Sequence, residues 1–191
     1  MAKQNKPQAN ANKTSNTAST AKATELTPNS SAYSWLYFLI PVLLITFAIY
    51  STSFSKSFVN WDDEVNLLEN VNTERLSGEN VKKIFQDDVI GNYNPLSILT
   101  LTIERHFVGI ESAKLYHIDN TLLHVSCVFF VFMILIALGL GNWAAAVGAL
   151  LFGIHPMRVE SVAWVTERKD VLFGFFFLWA LWLYIKGIKN P

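Results

Sequence analysis

The sequence predicts an all-α membrane protein with about four transmembrane helices, interfacial helices in a large first outer loop, and a disordered amino-terminal tail. Three observations carry that fold class. Apolar residues make up 51% of the 191 and charged residues only 16%, against about 25% charged in an ordinary soluble domain. The apolar residues gather in long uncharged runs, as the hydrocarbon core of a bilayer requires. The charges concentrate between those runs, in residues 52–120 and 155–170.

Residues 1–32 hold Asn, Thr, Ser, Ala, Gln and Lys and almost no large apolar side chain. Nothing there offsets the entropy cost of ordering, so a disordered tail is expected. Its four lysines against one glutamate make it basic. The first span is expected over residues 33–51, "YSWLYFLIPVLLITFAIYS". At about 1.5 Å per residue it matches a hydrocarbon core of about 30 Å. It starts too late for a cleaved signal peptide, and no small-x-small site follows. Residues 52–120 form the outer loop. "DEVNLLENVN" and "SGENVKKIFQDD" each show helical apolar spacing, the second with Ser77 as a cap. "NPLSILTLTIERHFVG" predicts an amphipathic interfacial helix from Pro95 to near Gly109. The remaining spans are expected over residues 121–140, 143–156 and 171–185. The third is short, and its Ala and Gly suit close helix packing.

Four spans return both ends of the chain to one side. The lysine-rich tail assigns that side to the cytoplasm, so 52–120 and 155–170 share the outer side. Net charge is zero, which argues against a nucleic-acid partner. The single Cys127 rules out an intramolecular disulfide and lies inside an apolar run.

Chemistry is expected where the charges sit. "FVNWDDEVN", Phe58–Asn66, sets three consecutive carboxylates behind a Trp. Their mutual repulsion is relieved by a metal, an arginine or a shared proton. Asp62 and Asp63 suit a hard divalent cation, or a general base toward an acceptor hydroxyl. The plainer alternative is that one of them caps a helix beginning near Glu64. "HPMRVESVAWVTERKD", residues 155–170, supplies Glu160 as a third acid and Arg158, Arg168 and Lys169 as phosphate-binding cations. Its plainer alternative is an interfacial helix whose charges meet lipid headgroups. Asn120 and His124 lie one turn apart and suit a helix-packing hydrogen bond or a polar site at membrane depth.

Four stretches, "FVNWDDEVNLLEN", "NYNPLSILTLTIE", "YHIDNTLLH" and "LLFGIHPMRVESVAWVTERKDVLFGFFFLWALWLY", are similar in order and spacing to the front end of a membrane glycosyltransferase family. The family is the protein O-mannosyltransferase-like transmembrane and tetratricopeptide-repeat proteins of the C-type fold, with their bacterial relatives. The resemblance covers about residues 33–188, and the HP-x-R-VESVAW-x-x-ERKD segment is its most specific part. It implies a polyprenyl-phosphate-sugar donor, a protein Ser or Thr acceptor, and a site built from Asp62, Asp63 and Glu160 with Arg158, Arg168 and Lys169. It leaves metal use open. Family members carry more spans and then helical repeats of about 34 residues; this chain shows neither, so it is expected to be a fragment or a truncated frame. Two rivals stand beside the enzyme reading. One is a non-catalytic membrane module whose outer loops dock a partner protein. The other is a transporter fragment, disfavoured because no charge sits mid-span.

Overall fold

The computed structural model describes residues 33–189; the tail expected over residues 1–32 lies outside them. Among the described residues there are seven α-helices and no strand. Four make a bundle. α1, Ser34–Tyr50, is apolar throughout and continues through Pro41. α4, Lys114–Ala137, is the central helix; α5, Asn142–Gly153, and α7, Arg168–Lys189, pack on it.

The chain reverses direction at each of these helices. Asn142 Nδ2 donates to Ser34 Oγ at 3.4 Å, and the Lys189 ammonium reaches the Ala137 carbonyl. These residues mark the near end. The Tyr50 and His124 rings meet edge-to-face at 5.1 Å, His124 Nε2 lies 2.8 Å from the Gly153 carbonyl, and Arg168 bonds Asn120. These mark the far end. α1 and α5 therefore run toward the far end, α4 and α7 away from it. Both charged segments emerge at the far end.

Helix contact in the bundle depends on small residues. Ala145, Ala146 and Ala149 are buried with Leu39 and Val42 of α1 and Val128 and Phe132 of α4. A Cβ at Gly153 would stand 2.7 Å from Thr46 Oγ1 and 3.0 Å from Val128 Cγ2, so only glycine lets three helices converge there. α7 meets α4 through Phe175 and Trp182 against Phe130. Its other face leaves Phe173, Phe177, Leu183 and Tyr184 exposed.

α1 (with its trailing turn to Ser55), α4 and α7 are long and apolar enough to cross a membrane. The third expected span, residues 143–156, is shorter: α5 has 12 residues, about 18 Å of helix against a core of about 30 Å. α4 begins at Lys114, seven residues before the expected span, because the polar groups of its first turns are covered by the far-end segments.

Those segments form a cap with its own small core of Leu67, Leu101, Ala113, Tyr116 and Val165. α2, Gly78–Ile84, is capped by Ser77, whose hydroxyl accepts from the Asn80 N–H at 3.2 Å. α3, Pro95–Val108, starts on its proline and stops at Gly109, where φ is +67°. The α3 residues Glu104 and Arg105 diverge as adjacent helical positions must. Arg105 Nη1 bonds the Leu67 carbonyl at 2.5 Å and Thr73 Oγ1 at 2.7 Å; Glu104 turns to α7. A single helical turn, Pro156–Arg158, and α6, Val159–Ala163, lead back into α7.

Candidate functional site

The stretch from Phe58 folds as tight turns, with the Trp61 N–H on the Val59 carbonyl at 2.8 Å and the Glu64 N–H on the Trp61 carbonyl at 3.2 Å. A π-helical turn, Glu64–Leu68, follows, and no side chain caps it. The helix-cap alternative for the acidic pair therefore fails. Asp63 turns inward and is 0% exposed. Its Oδ2 accepts the Val59 N–H at 2.9 Å. Its Oδ1 accepts the Thr166 N–H at 3.1 Å and the Thr166 hydroxyl at 2.7 Å. One carboxylate thus joins the first charged segment to the second across 103 positions of sequence. Bonds to an ionised acceptor are shorter and roughly twice as strong as neutral ones.

Asp62 is placed differently. It is half-buried, its carbonyl accepts from Asn66 Nδ2 at 2.9 Å, and among the described residues its carboxylate makes no ion pair. Glu160 is exposed in the first turn of α6. It lines an open cleft of about 390 Å³ with Val59, Trp61, Val159, Ala163 and Trp164. The cleft lies where the two charged segments adjoin.

Among the described residues none of the three expected cations makes an ion pair with these acids. Arg158 is exposed and holds its guanidinium 5.4 Å from the Phe152 ring centroid. Lys169 pairs with Glu167 at 2.7 Å. Arg168 is 1% exposed, and each guanidinium nitrogen is engaged: Nε on Asn120 Oδ1 at 2.7 Å, Nη1 on Glu104 Oε2 at 2.5 Å, Nη2 on the Tyr116 carbonyl at 3.0 Å. Arg168 ties α7 to α3 and α4. The ion pairs among the described residues involve none of Asp62, Asp63 and Glu160. Among the described residues no three His, Cys, Asp or Glu gather closely enough to hold a metal, and both Asp63 oxygens accept hydrogen bonds.

Glu104 is the most perturbed acid outside the bundle helices. Burial pushes its carboxyl up to about 8; hydrogen bonding with Asp119 adds to the rise and Arg168 opposes it.

Curated relatives share much of this chain. Protein O-mannosyl-transferase TMTC3 of Mus musculus is 29% identical over 160 residues, which is 78% of this chain and 17% of that protein. Protein O-mannosyl-transferase TMTC2 of Homo sapiens is 38% identical over 96 residues, 50% of this chain and 11% of that protein. Protein O-mannosyl-transferase TMTC4 of Homo sapiens is 33% identical over 112 residues, 52% and 15%. The chain is similar in sequence to these protein O-mannosyl-transferases. It spans less than a fifth of the length of these relatives. No protein-family model matches it, and no solved structure does.

Sequence reasoning marks Asp62, Asp63 and Glu160 but misses Thr166 and Trp164, which adjoin them here. Both lie inside the VESVAW-x-x-ERKD segment, so the resemblance had flagged their neighbourhood. No local signal said that Thr166 would face Asp63. Asn120, expected to face a cavity or a neighbouring helix, donates to the Trp164 carbonyl at 2.9 Å and the Val165 carbonyl at 3.2 Å while holding Arg168.

Proposed function

We propose that this chain forms part of an integral-membrane glycosyltransferase that moves a sugar from a polyprenyl-phosphate donor to a Ser or Thr hydroxyl of a protein, with the far end of the bundle outside the cytoplasm. The relatives' printed names support the sugar and the transfer. One observation supports the site: the Asp63 carboxylate draws the two charged segments together, and beside that junction Asp62 keeps a carboxylate without an ion-pair partner.

Each part of the chemistry has a residue. Asp62 accepts the proton of the acceptor hydroxyl as its oxygen attacks the anomeric carbon. The bond from that carbon to the phosphate oxygen breaks, and its electron pair leaves with the lipid phosphate. Arg158 and Lys169 meet the charge that develops on the phosphate. Arg168 holds the second segment in position. Inverting chemistry sets the base on the face opposite the leaving group. Asp63 acts through position, because both its oxygens are engaged.

The test is transfer of mannose from a polyprenyl-phosphate donor to a protein acceptor in membranes carrying the protein. Asp62→Asn lowers transfer by roughly 10²–10⁴-fold, the range expected for loss of a general base, and leaves membrane insertion unchanged. Full transfer by Asp62→Asn rules out this role for the residue.

A further inference from the structure

We infer that the cleft between Trp61 and Trp164 is a binding site for a hexopyranose, with the two indoles facing its C–H surfaces and Glu160 accepting from its hydroxyls. This rests on the transfer reading for the choice of sugar and deepens it by naming where the sugar sits.

The lining carries the inference. The cleft holds about 390 Å³ and is bounded by Val59, Trp61, Val159, Glu160, Ala163 and Trp164. Two indoles, small apolar groups and one carboxylate suit a ligand with apolar faces and a hydroxylated edge, which describes a pyranose. Glu160 is exposed and makes no ion pair among the described residues, so its oxygens are free to accept. The same carboxylate, with Asp62 in the adjoining turn, disfavours a phosphate inside the cleft, so of a lipid-linked donor the cleft takes the sugar and leaves the phosphate outside. A lipid acyl chain would leave the carboxylate without a partner in an apolar contact.

The walls are fixed before any ligand arrives. Val59 and Trp61 are joined by a 2.8 Å backbone bond, and the Val59 N–H is held by Asp63 Oδ2. Trp164 stands two residues before Thr166, which is held by Asp63 Oδ1. The Trp164 carbonyl is also fixed by Asn120. The two oxygens of one carboxylate therefore set the spacing of the two walls, and a weakly bound sugar is spared the cost of ordering them.

The experiment uses the whole chain in detergent micelles, with methyl α-mannoside as probe and saturation-transfer NMR as readout. Saturable binding is expected. Trp61→Ala weakens it roughly tenfold, as loss of one aromatic contact would, and Glu160→Gln weakens it by about the same factor through loss of a charged acceptor. Trp61 is 70% exposed and Glu160 is exposed, so both variants keep the fold. Trp179→Ala, on the outer face of α7, leaves binding unchanged. A short-chain prenyl-phosphate mannose separates the sources: competition assigns the site to the donor's sugar, and its failure assigns it to a sugar on the acceptor. Absence of saturable binding, or binding indifferent to both variants, overturns the site even if the protein transfers mannose. Binding that persists in an Asp62→Asn protein unable to transfer supports the site independently of catalysis.

Discussion

Asp62 and Asp63 are chemically identical neighbours with opposite situations, and the difference comes from what faces each. Asp63 meets two N–H groups and a hydroxyl. Asn at this position keeps one acceptor oxygen and turns an NH₂ toward a donor, so one wall loses its anchor. Asp63→Asn is expected to cost about 1.5–3 kcal/mol, the range for hydrogen bonds to a charged group, measured by chemical unfolding in micelles. A double-mutant cycle with Thr166→Val should give a coupling of about 1 kcal/mol or more; additive effects would show that the bridge contributes nothing. Glu104 gives a pH test. Its folded pKa, about 8, lies above its unfolded value, so the native chain holds the proton more tightly. Its contribution is fully present below about pH 4.3, falls as pH rises, and is gone once pH has passed through 8. Asp119 on α4 and Arg168 on α7 are the charged groups it faces. Glu104→Gln should flatten the decline in stability between pH 5 and pH 8; an unchanged slope would remove Glu104 as its cause. The tripeptide Asp62–Glu64 was visibly unusual in the sequence. Which acid would be buried was not, because that depends on Thr166, 103 positions away.

At the scale of elements, helices were legible because length and hydropathy are local properties, and their ends were less so because tertiary cover decides them. α1 matches its expected span to within a residue at each end. α4 overshoots because His117, Asn120 and Thr121 are buried under the cap rather than exposed to solvent. α5 is short because its small-residue stripe ends at Gly153, where Thr46 and Val128 close in. Gly153→Ala should therefore destabilise the chain by roughly 1–3 kcal/mol through overpacking, while Gly187→Ala, with open space around its Cβ, should not. The cap shows the reverse case. Val89 and Asn92 pair both ways in a tight turn whose central residues, Ile90 and Gly91, have φ of 53° and 70°. A β-branched residue in that left-handed region is strained. Ile90 is 54% exposed and gives up little packing, so Ile90→Asn should stabilise the chain by about 1 kcal/mol, read by the same unfolding assay.

For the whole molecule, the fact that matters is that both charged segments leave the bundle at the same end. The sequence reached this by counting spans, an argument exposed to any error in the count. The short α5 shows how easily the count shifts. The structure reaches it through contacts: Asp63 on Thr166, Glu104 on Arg168, and Asn120 on Trp164. A bilayer hydrocarbon core of about 30 Å cannot lie between groups that share hydrogen bonds. Single cysteines placed on a Cys127→Ser background, in sealed vesicles with a membrane-impermeant maleimide, therefore test the arrangement. Ser112→Cys and Met157→Cys, exposed in the two far-end segments, should label from one side of the membrane. Leu138→Cys, exposed at the near end, should label only from the other. The proposed orientation adds that the first side is the non-cytoplasmic one, read by comparing right-side-out with inverted vesicles. Inverted labelling with the same grouping would reverse the orientation and leave the site intact. Labelling of Ser112→Cys and Met157→Cys from opposite sides would separate the segments that Asp63 joins, and the cleft between Trp61 and Trp164 could not exist in the membrane.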